Sequence, residues 1–330
     1  MRYVIYGAGA IGGVVGARLF QHGHDVVLIA RGDHYVALAR DGLRLDTPDE
    51  TVTLPVPTVD SPDKLTFAED DVVVLAMKSQ DTRDALLQLA SLAPATLSVV
   101  CAQNGVENER QALRHFGNVY GVCVMMPAAH LTPGVVSVYS SPITGLLDLG
   151  RWPEGVDKRA RQIADSLSAS TFDSVAREDI ARWKWGKLMM NLGNAVEAVC
   201  GRGARGGVLT GLVWEEGVAV LSAAGIEYVE HEEDARRRGD LLIDRPVAGN
   251  VRGGGSSWQS LTRGTGSIET DYLSGEMVLQ GRLVGVATPA NELLQRLANE
   301  LARDHRSPGT VSEDDVLTML RVESPTRSHS

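Results

Sequence analysis

"RYVIYGAGAIGGVVGARLFQHGHDVVLIAR", Arg2 to Arg31, decides the fold. The apolar run Tyr3 to Tyr6 reads as a strand buried on both faces, because it is short, β-rich and stopped by glycine. Gly7-x-Gly9-x-x-Gly12 follows at once, then the helical pattern "IGGVVGARLFQHG", then a second β-rich run, "HDVVLIAR". A lone GxGxxG is weak evidence; one that leaves a strand, opens a helix and is followed by another strand predicts a dinucleotide-binding βαβ unit. Gly7 permits the tight turn, Gly9 lets backbone amides approach a diphosphate, and Gly12 brings helix and strand together, with the helix N-terminus facing the negative charge. Gly7, Ala8, Gly9, Ala10, Ile11 and Gly12 are therefore the expected cofactor cradle. The second strand ends in Ala30-Arg31, where an NAD site carries an acidic residue for the ribose 2′-hydroxyl. A guanidinium suits a 2′-phosphate instead, so NADP(H) is the expected cofactor.

Outward from this unit, β-rich runs alternate with helical patterns as far as about residue 176: "DVVVLAM", "LSVVCA" and "NVYGVCVMM". The alternation predicts a mostly parallel sheet covered on both faces, a Rossmann-type α/β domain over residues 1–176. "GLRLDTP" and "TVTLPVP" read as a hairpin excursion, and "GVVSVYSS" with "TGLLDLG" as strands added at one edge. From 177 the patterns are helical, beginning with "EDIARWKWGKLMMNLGNAVEAV" as one helix, and a mainly α-helical domain is expected over 177–330, with a disordered tail from about 321.

The chain has 330 residues, 43% hydrophobic and 22% charged, with a net charge of −10. Acidic balance disfavours nucleic acid and anionic membrane surfaces as partners. The N-terminus lacks a signal pattern and no run approaches the length of a membrane span, so a cytoplasmic protein is expected. Cys101, Cys123 and Cys200 lie among apolar neighbours and read as buried thiols; His231, in a charged helical stretch, reads as a solvated residue, and no metal is assigned.

Two residues fall where sheet strands should end: Lys78 in "LAMKSQDT" and Asn104 in "CAQNGVEN". Ligands of open α/β sheets bind at that edge, which makes both candidate cofactor contacts. In "RWKWGKLMMNLGN" a helix would place Trp183, Lys187, Asn191 and Asn194 in one stripe, an amine with two amides. Lys187 either snorkels into water or faces a ligand as a proton donor; Lys184, about 60° round the helix, is its rival.

Together these pieces resemble the ketopantoate reductase family, NADPH-dependent reducers of a 2-oxo acid, over nearly the whole chain. The matching features, in order, are GAGAIG, Arg31, Lys78 in "MKSQ", Asn104 in "QNGVEN", Trp185-x-Lys187-Leu188-x-x-Asn191, and "SSWQSLTRGTGSIETDYLSGE" with Ser257 and Glu269. The resemblance implies that Lys187 is the catalytic lysine, Asn191 and Ser257 bind substrate, and Glu269 closes the site on substrate and cofactor; Asn104 would contact both. The chemistry suits lysine, because hydride addition to a ketone builds negative charge on oxygen, which a cation can stabilise and then protonate. Two family asparagines are missing, at Ala195 and Gly254, and Trp258 replaces a methionine. Asn194 stands beside Ala195 and is a candidate replacement.

The expected protein is a two-domain NADP(H)-dependent reductase that turns a 2-oxo acid into a 2-hydroxy acid at a site between the domains, pantoate being the product if the family substrate is retained. A small 2-oxo acid is the expected partner and a homodimer the candidate assembly. The alternatives are a reductase of another keto acid, with a bulkier tail set against Trp258, an opine-type dehydrogenase, or a non-catalytic NADP sensor.

Overall fold

The computed structural model describes residues 1–323. Its strands are β1 Arg2–Tyr6, β2 Asp25–Ile29, β3 Leu43–Asp46, β4 Thr51–Leu54, β5 Thr58–Val59, β6 Val72–Leu75, β7 Ser98–Cys101, β8 Asn118–Met125, β9 Ala128–Ala129, β10 Val135–Val138, β11 Gly145–Arg151 and β12 Phe172–Asp173. Its α-helices are α1 Ala10–Gln21, α2 Gly32–Asp41, α3 Thr82–Leu92, α4 Glu107–Leu113, α5 Lys158–Ser168, α6 Ile180–Asn191, α7 Gly193–Cys200, α8 Val208–Ala224, α9 His231–Arg238, α10 Ser256–Arg263, α11 Ser274–Val284, α12 Pro289–Arg303 and α13 Glu313–Glu323. Helix α13 takes in 321–323, the start of the stretch expected to be a disordered tail; 324–330 lie outside the described residues.

By its contacts the chain divides into two compact units: residues 1–186 with 228–252, and residues 187–227 with 253–330. The first unit is built on a sheet ordered β12-β11-β8-β7-β6-β1-β2-β5. Strands β5, β2, β1, β6, β7 and β8 run parallel, and β11 is antiparallel to β8. Successive residues of β1 feed opposite faces. Tyr3 and Ile5 join one core with Val14, Ala17 and Leu19 of α1; Val4 and Tyr6 join the other with Leu86 and Leu89 of α3 and Phe116. Burial on both faces is why these strands read as continuous apolar runs rather than as alternating ones.

The expected hairpin is present as β3 antiparallel to β4. "TGLLDLG" joins the main sheet as β11, as expected of an edge addition. "GVVSVYSS" does not: β10 pairs with β3 and β9 in a separate four-stranded sheet. Period-two alternation shows that a segment is a strand but not its neighbour, which depends on distant residues. The segment 228–252 is fastened to the same unit by charge. Arg237 on α9 grips Asp148 of β11 at 2.8 and 2.6 Å and also pairs with Asp173, while Arg177 holds the same Asp148 at 2.9 Å.

The second unit is helical, with Leu188, Val196, Val213, Leu221, Met277, Leu294 and Leu301 buried in it. The single helix expected through Val199 is broken at Leu192, whose N–H bonds Met189 one residue short of the helical partner. Two helix starts here are closed by remote carboxylates. Glu216 accepts the Ala290 and Asn291 amides at 2.7 and 2.9 Å, and Glu313 accepts that of Leu209 at 2.8 Å.

Candidate active site

The parallel register aligns one edge of the first unit. Tyr6 pairs with Ile29 and with Leu75, and Leu75 pairs with Cys101, so four strands end in one row. From that row leave the glycine turn, the Ala30-Arg31 step, the loop carrying Lys78 and the loop carrying Asn104. Connections from β1 lead to β2 on one side while β6 lies on the other, a topological switch point of the kind that opens a ligand crevice.

Each glycine of the turn has its own reason. Gly7 sits at φ +101°, and a Cβ there would come within 2.6 Å of the Met77 backbone nitrogen. A Cβ on Gly12 would strike the Gly7 carbonyl and lie 2.9 Å from both Ala76 and Ile5, so helix and strand could not close up. At Gly9 a Cβ would meet nothing within 4 Å, leaving room for a ligand against the backbone. Helix α1 starts without a side-chain cap and without an acidic residue in its first turn, unlike the carboxylate-closed starts of α8 and α12. These features fit a diphosphate.

Arg31 is exposed at the N-cap of α2, close enough for its charge to act on the Tyr6 hydroxyl, and has no ion-pair partner among the described residues. Lys78 and Asn104 are half-buried. Their loops are knitted together by a buried amide network that the sequence did not signal. The Gln103 amide donates to the Met77 carbonyl and to Thr82, Thr82 donates to Asn108, and the Asn108 amide donates to Ser79 and to the Asn104 carbonyl. Cys101 and Cys123 are buried as expected, and burial beside Glu109 pushes the Cys101 thiol up; Cys200 is only half-buried.

The two lysines of α6 have different surroundings. Lys184 is 2% exposed, with its ammonium 2.6 Å from Glu109, 2.8 Å from the Gln103 carbonyl and 3.2 Å from the Val122 carbonyl. One ion pair and two backbone carbonyls hold it. Glu109 is fully buried, and burial pushes its carboxyl up against the pull of Lys184. Lys184 is thus held as a structural cation, and its loss would strand a buried carboxyl.

Lys187 is half-buried on the second unit's part of α6, one turn before Asn191. The Asn194 side-chain amide donates to the Asn191 Oδ1 at 3.3 Å, and both residues are 5% exposed. Asn194 also lines the path of the glycine-rich segment, its oxygen 3.2 Å from where a Cβ on Gly255 would stand. Gly255 caps α10, so this contact leads from the asparagine pair towards Ser257, which is buried at the start of that helix. Glu197, one turn beyond Asn194, accepts the Gly255 amide at 3.3 Å and holds Arg205 at 2.6 Å. Its signal in the sequence is a lone acid in "NAVEAV", three residues after Asn194. Glu269 is buried on the 3-10 turn Glu269–Tyr272, within electrostatic reach of Arg263.

The departures at Gly254 and Trp258 are one feature. Gly254 sits at φ +148°, and a Cβ there would fall 2.6 Å from the Trp258 ring. The indole occupies the place of the absent side chain, and its far edge reaches towards Gly309. Trp258 therefore packs against its own chain and stays half-buried.

Comparison with known proteins places this geometry. The ketopantoate reductase PanE/ApbA family model matches residues 3–154, and the ketopantoate reductase PanE/ApbA C-terminal model matches residues 179–302. The 2-dehydropantoate 2-reductase of Mesorhizobium japonicum is 30% identical, across 92% of this chain and 98% of that one; that of Pyrococcus abyssi is 27% identical, across 89% and 95%. Among solved structures, a PanE/ApbA family ketopantoate reductase from Ralstonia eutropha is similar with a TM-score of 0.77 at 28% identity, covering 92% of this chain and 99% of that one. D-mandelate dehydrogenase, solved with NADH and anilino(oxo)acetate, is similar with a TM-score of 0.77 at 25% identity and the same coverage. No helix among the described residues is long and apolar enough to cross a membrane. With both family models matched in order over most of its length, the chain belongs to the ketopantoate reductase family of oxidoreductases.

Proposed function

We propose that the protein reduces a 2-oxo acid to the 2-hydroxy acid with NADPH, with 2-dehydropantoate as the family substrate. The observation that carries this reading is the division of labour on α6: Lys184 is consumed by Glu109, so the lysine in register with the asparagines, Lys187, is the proton donor. NADPH, when bound, supplies the hydride. The amides at the start of α1 hold its diphosphate, and Arg31 pairs with the 2′-phosphate, the strand end carrying Ala30-Arg31 in place of an acidic residue. Lys187 neutralises the oxyanion that forms on the substrate carbonyl and then protonates it. Asn191 and Ser257 orient the acid, and Glu269 closes the site.

A second reading, a bulkier and more apolar 2-oxo acid, draws support from two facts. D-mandelate dehydrogenase is as similar in fold as the ketopantoate reductase neighbour, and the amides missing at Ala195 and Gly254 leave fewer polar partners for a substrate hydroxyl. One experiment addresses both: oxidation of NADPH and NADH by the wild type and by Arg31→Ala over a panel of 2-oxo acids including ketopantoate and aryl-substituted acids. NADPH is expected to bind at least about tenfold more tightly than NADH, and Arg31→Ala to erase most of that difference. Equal affinities in the wild type sink the NADPH assignment, and no turnover with any member of the panel sinks the reductase reading. A strong preference for ketopantoate removes the second reading.

A further inference from the structure

The glycine turn is held from outside by one side chain. His34, in the first turn of α2, has its Nε2 2.7 Å from the Ala8 carbonyl oxygen, while the Gly134 N–H donates to its Nδ1 at 2.9 Å. A carbonyl only accepts and an amide N–H only donates, so the two contacts define a neutral imidazole protonated on Nε2. Burial holds His34 below the ordinary imidazole range, in keeping with that form. The His130 ring packs on it, centroids 4.2 Å apart. Gly134 is anchored in turn, its carbonyl accepting the Arg44 amide at the start of β3 at 2.9 Å. A continuous chain of hydrogen bonds therefore runs from the glycine turn through His34 to the small sheet.

The consequence lies in the Ala8–Gly9 peptide, which is trans. In a trans peptide the C=O and the following N–H point in opposite directions, so fixing the oxygen fixes the hydrogen. We propose that His34 is a positioning residue for the cofactor: by holding the Ala8 carbonyl it aims the Gly9 amide, at the uncapped start of α1, towards the dinucleotide diphosphate. The inference rests on the reading of this turn as the NADPH site. Without the tether the glycine-flanked peptide is free to rotate, and the amide must be ordered at the moment of binding, which weakens affinity.

The test compares the wild type with His34→Phe, which keeps a ring against His130 but removes both nitrogens, and with His34→Gln, whose amide restores a donor to Ala8. Fluorescence titration gives NADPH affinity, steady-state kinetics give KM and kcat, and melting temperatures report folding. His34→Phe is expected to weaken NADPH binding roughly tenfold and to raise its KM in step, with kcat moving less than about twofold, while His34→Gln recovers affinity to within about threefold. A folded His34→Phe protein that binds NADPH like the wild type overturns the proposal, as does a Gln variant as impaired as Phe. If the Phe variant does not fold, His34→Gln is compared instead with His34→Asn, whose shorter amide does not reach Ala8; equal affinities of those two variants overturn the proposal. A wild type that binds neither NADPH nor NADH overturns the reading of the turn itself.

Discussion

The two halves of α6 carry a lysine each, three residues apart, and treat it in opposite ways. In the part belonging to the sheet unit, Arg177 stacks on Trp183 at 4.2 Å, the Cys123 thiol lies 3.8 Å from the Trp183 carbonyl, and Lys184 is locked onto Glu109. In the part belonging to the helical unit, Leu188 and Met189 are fully buried, Lys187 is half-buried, and Asn191 pairs with Asn194 just beyond the helix. A buried cation paired in this way cannot deliver a proton to a substrate without breaking its own pairing; it serves the fold. Chemistry requires a lysine whose partner changes during the reaction.

Removing each amine is the sharpest way to break this contrast. Lys187→Ala is expected to lower turnover by two or more orders of magnitude, roughly the scale of losing a positioned acid, with NADPH affinity little changed. Turnover within threefold of the wild type would show that the donor lies elsewhere. Lys184→Met should act on stability instead, costing about 3 kcal/mol in chemical denaturation, because one partner of a buried pair is left behind, while turnover per folded molecule stays within about threefold. Adding Glu109→Gln should return part of that loss, since the stranded carboxyl is then removed; strict additivity in the double mutant would mean that the pair is not energetically coupled. The smallest effect is expected of Asn194→Ala, which frees Asn191 from its 3.3 Å partner: a rise of about three- to tenfold in KM for the oxo acid with kcat largely kept. An unchanged KM would reduce Asn194 to packing.

How far these roles could be read in advance depends on the range of the interaction behind each. The βαβ start was legible because Gly7, Gly9 and Gly12 act on atoms of neighbouring turns and strands, and burial on both faces leaves an apolar run. The hairpin of β3 and β4 was legible for the same reason, its partners being adjacent in the chain. The partner of β10 was not, because pairing with β3 joins segments about ninety residues apart and leaves no trace in either one's periodicity. The break at Leu192 was equally hidden, since nothing in "MNLGNA" breaks helical spacing.

The sequence by itself determined the Rossmann-type beginning, the helical second half, the family, and the residue types available for chemistry, because local periodicity and backbone permissiveness are set by chain neighbours. Tertiary structure alone decided which lysine of α6 is bound to a buried carboxylate, which imidazole tautomer His34 holds, and that Gly254 and Trp258 are a single packing solution. Those outcomes depend on desolvation and on hydrogen-bond partners drawn from distant parts of the chain. Both come into being only when the fold closes.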